Sequence, residues 1–529
     1  MRYTLSLLML LLLSLGGCEQ PAQDTTDVSA DLDSLQKRIV WLKYRSAQFE
    51  WRELTGQPVD SQQLYRRVWR DVTGDLTTLE RLQRATAKLD DGNEHRRYQL
   101  LTSLLLKGVV ESSDHIVALR DSLELARDSY RVDFRGGQQD IDGLSRTLQT
   151  ADDRSVRERA WQAWAGLGSD MAGGIERLIR LRNQQSGRLR YNNFAALALD
   201  ADSIEQSWFV ALLDSLEAAT EEPYLAAIEG RTAAVGRNQL QPWDLTWSAG
   251  DRLISLDQYF PIDSQISFLR SALSACGIDL DKQPIYWDVT AFENSPELIR
   301  ACVVRPGQDQ RIRANLRPGF STQSELAHQA GIALQAAFVN QGEPLFAWLI
   351  DDAWRRCSGL IFEEIANRPE FLVNIAGVPP RVVQAYRQAR FNQAVIDWRI
   401  MLAKARFEYE AYLDANRDLD ELWWDICERV LGLPRHDQLS WWASEIDLIS
   451  RPMASVDRLL AGLAAAQTLN FLRDHNPTLL DTQTKSFLVQ HYFRYGSSAD
   501  WRRLLSHATE RELSHRALID WFEAEAAEL

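Results

Sequence analysis

The residues best placed for chemistry lie in the middle of the chain, between Glu325 and Ile332. His328 is followed directly by Gln329, and Ile332 stands four residues after the histidine. Two histidines at this spacing, with a glutamate after the first, would present two zinc ligands and a general base on one helix face. Gln329 has no carboxylate to accept a proton, and Ile332 has no lone pair for a metal. The spacing therefore fits a zinc-binding helix, but the residue types do not.

Two segments before this run alternate in polarity as β-strands do. They cover residues 299–304 and 311–316, with Pro306 and Gly307 in the turn between them. They predict a small β-hairpin near residues 299–316, directly before the helix. Thr322, with Glu325 three residues later, is expected to form a capping box at the start of that helix. At about 100° per residue, His328 and Ile332 fall opposite an apolar stripe, so an isoleucine there predicts a partly apolar cleft wall.

Composition favours a large helical protein. The chain has 529 residues, 45% of them hydrophobic and 25% charged, with long stretches rich in Leu, Ala, Arg and Glu. These features predict a predominantly all-α fold, including a long helix from Asp152 toward Asn183. No linker divides residues 35–529, which we interpret as one large domain. The net charge of −15 argues against nucleic acid as a partner.

The N-terminus has the pattern of an export signal. Arg2 precedes an apolar run from Leu5 to Leu15, and Leu15-Gly16-Gly17-Cys18 follows. This ending resembles the lipobox of bacterial lipoproteins, which implies cleavage before Cys18 and lipid attachment there. Residues 1–17 are then a signal peptide and residues 18–34 a flexible tether. The protein is expected in the bacterial cell envelope, lipid-anchored and facing the periplasm, with Glu19 slightly favouring the outer membrane.

Four further cysteines are widely spaced and form no CxxC motif. An oxidising compartment would permit a disulfide among them, but buried free thiols are the expected state. They are Cys276, Cys302, Cys357 and Cys427.

Several stretches together resemble a known family. The segments are the Trp-rich run at 160–164, Leu181-Arg182-Asn183, Tyr191-Asn192-Asn193-Phe194, the hairpin followed by a helix, Gly432-Leu433-Pro434-Arg435, and two C-terminal runs at 495–501 and 514–522. In order and spacing they resemble the zinc peptidases related to angiotensin-converting enzyme and oligopeptidase F. The resemblance implies a large, two-lobed helical fold with a deep cleft.

The same resemblance implies that the zinc site is lost. It places His328 at the first histidine, Gln329 at the general base and Ile332 at the second histidine. The third ligand is expected near Arg356, yet residues 354–362 contain only Cys357 as a donor. Glu363 and Glu364 come later and are interpreted as carboxylates on the helix surface. Asp447 stands where the family has a histidine that stabilises the transition state. We therefore expect no catalytic residues, no metal and no cofactor.

The first functional hypothesis is a non-catalytic relative whose cleft binds peptides or a protein partner. In the family, the second hairpin strand lies beside the cleft and pairs with extended substrate. Arg311, Arg313 and Asn315 on that strand are the candidate peptide-binding residues. Contact with the membrane is expected only through the lipid on Cys18.

Two alternatives stay open. The first is an active zinc-dependent oligopeptidase or dipeptidyl carboxypeptidase with a rearranged site built from Glu325, His328 and Asp352, with Glu363 as a further candidate. Zinc is expected only in that case. The second is a purely structural envelope protein.

Overall fold

The computed structural model describes residues 25–59, 62–247, 255–290, 299–444, 447–476 and 478–529. Helices dominate these residues, and strands form only two small sheets. The predicted, predominantly all-α fold class is therefore confirmed. The predicted signal peptide and Cys18 lie outside the described residues. Within those ranges, none of the helices combines the length and the apolar character that crossing a bilayer requires.

Five helices open the described chain: α1 (Thr25–Leu54), α2 (Gln62–Thr73), α3 (Leu76–Thr86), α4 (Asn93–Glu111) and α5 (Asp114–Asp128). The start of α1 corrects the prediction of a flexible tether over residues 18–34, which is wrong from residue 25 onward. Leu32 is buried, and the Asp33 carboxylate accepts a hydrogen bond of 2.5 Å from Arg97. The helix extends this far because Leu32 continues the buried stripe of Leu35 and Ile39 at helical spacing.

The middle of the chain is organised around a 35-residue helix. Strands β1 (Val132–Phe134) and β2 (Gly137–Gln139) form a short hairpin, and α6 (Ile141–Thr150) leads to the long helix α7 (Arg154–Arg188). Asp153 caps α7, because its carboxylate accepts from the Ser155 N–H at 2.9 Å. The predicted long helix is confirmed. Five helices follow: α8 (Phe194–Ala201), α9 (Gln206–Ala219), α10 (Glu221–Val235), α11 (Pro242–Leu245) and α12 (Ile262–Ala275).

A three-stranded sheet comes next, composed of β3 (Ile285–Asp288), β4 (Ile299–Arg305) and β5 (Asp309–Ala314). β4 and β5 are antiparallel and form the predicted hairpin. β3 was not predicted, and it pairs with β5 in parallel. The strand order is β3-β5-β4, so β5 lies in the middle and β4 is an outer strand of the described sheet.

The remaining helices are α13 (Phe320–Ala337), α14 (Pro344–Trp348), α15 (Asp352–Asn367), α16 (Pro380–Leu413), α17 (Leu419–Leu431), α18 (Asp447–Ser450), α19 (Ala454–His475), α20 (Thr482–Phe487), α21 (Trp501–Thr509) and α22 (Arg516–Ala527). Short 3₁₀ turns occur at Asp257–Tyr259, Leu280–Lys282, Trp441–Ser444 and Phe493–Tyr495, and π turns at Glu370–Ile375 and Leu488–Tyr492.

The start of α13 differs from the sequence expectation. Gly319, with φ of +126°, is the residue before the helix, and the Phe320 N–H donates to the Asp257 carboxylate at 3.0 Å. Thr322 lies inside the first turn, so the capping box of Thr322 and Glu325 is wrong. A carboxylate from a distant segment satisfies the first amide instead.

α13 is packed on two sides, against the sheet and against α15. Gly331 allows the close approach of α15, since a Cβ atom there would lie 2.5 Å from the Ser358 carbonyl oxygen. α1 covers the opposite face of the sheet, where the Cys302 thiol donates to the Ala47 carbonyl oxygen at 3.1 Å. A continuous buried core extends from Leu32 to Phe522.

Candidate functional site

Gln329, at the position expected for the general base, holds the helix to the sheet. Its Oε1 accepts a hydrogen bond from the Ala301 N–H of β4 at 2.9 Å. Its Nε2 donates to the Glu325 carboxylate at 2.7 Å. A carboxamide can make both contacts, because it accepts at one atom and donates at the other. A glutamate at this position would accept at both and would face Glu325 with the same charge.

His328, which the sequence resemblance placed at the first metal ligand, is buried and contacts α15. Its Nδ1 lies 2.9 Å from the Glu363 carboxylate. A Cβ atom on Gly359 would lie 2.6 Å from His328 Nε2, so the ring lies directly against the α15 backbone. The expectation of a surface carboxylate is wrong for Glu364, whereas the Glu363 side chain remains 36% exposed. Glu363 bonds to the histidine, and Glu364 is buried and paired with Arg390.

The donor set beside His328 does not fit a zinc ion. Ile332 is partly exposed and offers no ligand atom. Cys357 is fully buried, and burial raises the pKa of its thiol, which opposes the thiolate that zinc requires. Across the described residues, no group of three or more His, Cys, Asp or Glu side chains is arranged to hold a metal ion.

The described contacts do not bring together Glu325, His328 and Asp352, the residues of the alternative, rearranged zinc site. Glu325 is exposed and bonds to Gln329, and His328 bonds to Glu363. Asp352 is exposed at the first turn of α15, where it forms an ion pair with Arg355. No recorded contact among the described side chains joins Glu325 or Asp352 to His328.

Asp447, which the sequence resemblance placed at the position of the transition-state histidine, is buried between two arginines. It accepts a hydrogen bond of 2.7 Å from Arg451 and another from Arg458. Each guanidinium compensates part of the charge of the Asp447 carboxylate.

The turn after Asp447 is fixed by the buried carboxylate of Glu408. It accepts from the Met453 N–H at 2.5 Å and the Ser455 N–H at 3.0 Å. These bonds hold Met453 at φ +70°, a conformation that costs energy for a residue other than glycine. Burial raises the pKa of Glu408, although the two amide bonds oppose that change.

A polar cavity of about 350 Å³ opens at the start of α15. Lys107 donates to both carboxylate oxygens of Asp202 at 2.6 and 2.7 Å. Burial and the neighbouring charge of Asp202 raise the pKa of Asp351 to about 7, while Lys107 opposes the rise. The pKa of Asp457 is also raised, first by burial and then by Asp202. The sequence did not indicate that Lys107, Asp202, Asp351 and Asp457 lie together, because they come from four separate helices or helix ends.

The sheet corrects the expected mode of peptide pairing. β5 is bordered by β3 over residues 310–313 and by β4 over residues 309–314, so its backbone edges are occupied. Arg313 is 2% exposed, and its guanidinium donates to the backbone oxygens of Asp288 and Thr290. Arg311 forms an ion pair with Asp309 at 2.8 Å. Asn315 follows the end of β5 and is partly exposed; peptide contact by these three side chains stays a prediction.

All four described cysteines are buried free thiols, as expected. Burial raises the pKa of each thiol, in the case of Cys276 to about 12. They are therefore poor nucleophiles at neutral pH.

A comparison with known protein families relates part of the chain to a described family. A family model described as Peptidase family M3 matches residues 147–280, about a quarter of the chain, from α6 to the turn after α12. None of the curated proteins matches. The matched stretch includes Arg182 and the Trp-rich helix, but it ends before the sheet and before His328. The match supports a relationship to the zinc metallopeptidases of family M3 over this stretch, and the helical architecture is consistent with a peptidase-like relative.

Proposed function

We propose that this protein is a catalytically inactive relative of the M3 peptidases that keeps a binding cleft for peptides or for an extended segment of a protein partner. The observation that carries the proposal is the double contact of Gln329 with Ala301 and Glu325. The residue at the position of the general base serves as a bridge between α13 and β4. A catalytic glutamate could also accept from Ala301, but it could not donate to Glu325 as Gln329 does.

The chemistry of peptide hydrolysis supports the same conclusion. Metal-assisted attack requires a bound metal, a base that deprotonates the water, and a donor for the developing oxyanion. Ile332 supplies no ligand, Gln329 accepts no proton, and Asp447 is an acceptor enclosed by arginines. Each of the three requirements is affected by a different substitution.

The outer edge of β4 is the best-placed surface for an extended peptide. Among the described strands, β4 has a neighbour on one side only, and edge strands commonly bind peptides by backbone pairing. The Ala301 N–H at this edge donates to Gln329. A peptide along β4 would replace the carboxamide oxygen with one of its own carbonyl oxygens. Gln329 is then the group that a bound peptide displaces.

The decisive experiment combines metal content with a cleavage assay. The purified mature protein is expected to contain no stoichiometric zinc and to leave quenched fluorescent peptides intact, with or without chelator. Stoichiometric zinc together with chelator-sensitive cleavage would overturn the proposal. Calorimetry against pooled short peptides tests the cleft, and absence of heat at about millimolar concentration would remove the binding role.

The lipid anchor is tested separately. Cells fed a labelled fatty acid are expected to incorporate label into the protein, and the Cys18→Ala variant is expected to incorporate none. Label that persists in the variant would contradict attachment at Cys18 and would leave the binding proposal untouched.

A further inference from the structure

The polar cavity at the start of α15, called the α15 cavity below, is lined by charges of both signs. Its volume of about 350 Å³ lies near the lower limit of small-molecule sites, about 300–1,000 Å³. The acidic side chains that line it are Asp202, Asp351, Asp352, Asp457 and Asp500. The basic ones are Lys43, Arg96, Lys107 and Arg355. Because the two signs nearly balance, the cavity is not suited to a ligand that carries charge of one sign only.

Three of the five carboxylates already have a cation as partner. Lys107 donates to both carboxylate oxygens of Asp202, at 2.6 and 2.7 Å. The three ion pairs are those of Asp202 with Lys107, Asp352 with Arg355, and Asp500 with Arg502. The charges of these three carboxylates are therefore compensated inside the protein.

The other two carboxylates, Asp351 and Asp457, have no ion pair with any described residue. Asp351 accepts from the Ala353 N–H at 2.8 Å, whereas the Asp457 side chain has no hydrogen bond within the described ranges. Both side chains are half-buried. A carboxylate that has lost part of its hydration is normally paired with a cation. An ammonium group in the cavity would supply that partner.

Two cations on the wall of the cavity, Lys43 and Arg96, are also half-buried. The Lys43 ammonium lies 5.3 Å from the centroid of the Trp69 ring and forms no ion pair in the described part of the chain. The Arg96 guanidinium donates to the backbone oxygens of Ser497 and Ala499, at 2.8 and 3.4 Å, and is likewise without a carboxylate partner there. Burial lowers the pKa of both cations. A carboxylate group of a ligand would compensate this loss of hydration.

We propose that the α15 cavity binds a small zwitterion, a free amino acid or a dipeptide, with its ammonium group at Asp351 and Asp457 and its carboxylate group at Lys43 and Arg96. Such a ligand compensates the charges of both signs that lack a partner, and it leaves the three existing ion pairs in place. The site goes beyond the proposed function, since neither Gln329 nor any residue of β4 lines this cavity.

The test uses a mixture of dipeptides made from alanine, leucine, serine and phenylalanine, and calorimetry on the full mature protein. The mixture is supplied in four forms: with both termini free, with an N-terminal acetyl group, with a C-terminal amide, and with both caps. The free form is expected to bind, and each single cap should weaken binding about tenfold. The same four amino acids, supplied free, distinguish the two sources: whichever mixture binds more tightly identifies the ligand class.

Two variants assign the ends of the ligand. In Asp457→Asn, acetylation should no longer weaken binding, while amidation should weaken it as in the wild type. In Lys43→Met, the opposite is expected. Asp474→Asn is the matched control, because Asp474 is exposed on the same helix as Asp457 and does not line the cavity; both caps should keep their effect in it.

A second carboxylate variant, Asp351→Asn, keeps the side-chain cap of α15 and should lose the effect of acetylation as well. Circular dichroism checks that each variant is folded. Equal binding of all four forms to the wild type, or no binding of the free dipeptides and amino acids at about millimolar concentration, would overturn the zwitterion site. An unchanged effect of acetylation in both aspartate variants would also contradict it. Longer peptides with both termini capped report on β4 alone, so this proposal and the proposed function fail separately.

Discussion

The guanidinium of Arg182 donates a hydrogen bond of 2.6 Å to the carbonyl oxygen of Leu448. It donates a second one, of 2.7 Å, to Ile449 and pairs with Glu111 at 2.7 Å. The long helix of the family-matched stretch is thereby joined to the short helix that begins with Asp447. Burial alone would lower the pKa of Arg182, but Glu111 and its hydrogen bonds raise it. The position of Asp447 thus depends on a residue in another part of the chain.

Substitution of Arg182 should be strongly destabilising. Arg182→Met leaves the Glu111 carboxylate and two backbone oxygens without their donor, and such losses cost about 3–5 kcal/mol. Arg180→Met is the matched control, since Arg180 is exposed on the same helix and pairs with Glu176 across one turn. The control should change the free energy of unfolding by less than about 0.5 kcal/mol. Urea denaturation of the two variants provides the comparison, and equal losses would contradict a special role for Arg182.

The close contact between α13 and α15 predicts that an added methyl group at Gly331 destabilises the protein. The same change at Gly173, which has open space around it, should stabilise the protein. Gly331→Ala places a methyl group 2.5 Å from the Ser358 carbonyl oxygen and 2.8 Å from the Phe362 ring. We expect it to lower the free energy of unfolding by about 1–3 kcal/mol. Gly173→Ala, in α7, meets nothing within 4 Å and should stabilise by about 0.5–1 kcal/mol. Thermal denaturation would show the opposite shifts; stabilisation by both changes would mean that the helices do not pack this closely.

Asp351 predicts a pH dependence of stability. Its pKa is raised from 3.8 to about 7 in the folded protein, first by burial and then by Asp202. Between these pH values the folded state binds more protons than the unfolded state, so this residue makes folding less favourable as pH rises. Asp351→Asn keeps the helix cap and removes the titration. Its stability relative to the wild type should therefore improve by roughly 1–2 kcal/mol from about pH 4 to about pH 7.

The control for this effect is Asp418→Asn. Asp418 is exposed and caps α17 by accepting from the Asp420 and Glu421 amides. It matches Asp351 in its role at a helix start but not in its surroundings. Unfolding measured at several pH values should show the relative gain in Asp351→Asn only. If the difference in the free energy of unfolding between each variant and the wild type did not change with pH, the Asp351 carboxylate would be solvated like one on the surface.

The hydrogen bond between Gln329 and Glu325 predicts that a substitution at one residue compensates the loss of stability caused by a substitution at the other. Gln329→Glu replaces the donor to Glu325 with a second carboxylate and should destabilise by roughly 0.5–1.5 kcal/mol at neutral pH. The double variant Glu325→Gln and Gln329→Glu restores a donor and an acceptor with their places exchanged. It should recover most of the loss, and the free energies of unfolding of the four proteins form a double-mutant cycle. Additive losses would show that the 2.7 Å contact does not stabilise the fold.

Local patterns in the sequence were sufficient to predict the hairpin and the long helix α7. Alternation in polarity predicted β4 and β5, and the helical stretch from Asp152 toward Asn183 predicted α7. β3 was missed because it has only four residues, and its pairing with β5 depends on a contact across more than twenty residues. The early start of α1 had a signal in Leu32, which falls on the stripe of Leu35 and Ile39, but the polar neighbours obscured it.

The partners of the site residues could not be predicted in the same way. The resemblance places Asp447 at the position of a histidine, but its pairing with Arg458 is a contact between two helices, which no local pattern predicts. The interpretation of Glu364 as a surface group failed because helix periodicity does not show which neighbouring helix covers a face.

The hydrogen bond between Gln329 and Ala301 also affects how the protein meets its own copies. An outer strand with unsatisfied amides is a template on which strands of other molecules can add, and such addition leads to aggregates. The Gln329 carboxamide satisfies one of these amides in the middle of β4 without adding charge. Loss of this side chain would therefore be expected to lower solubility at high concentration before it changes the fold.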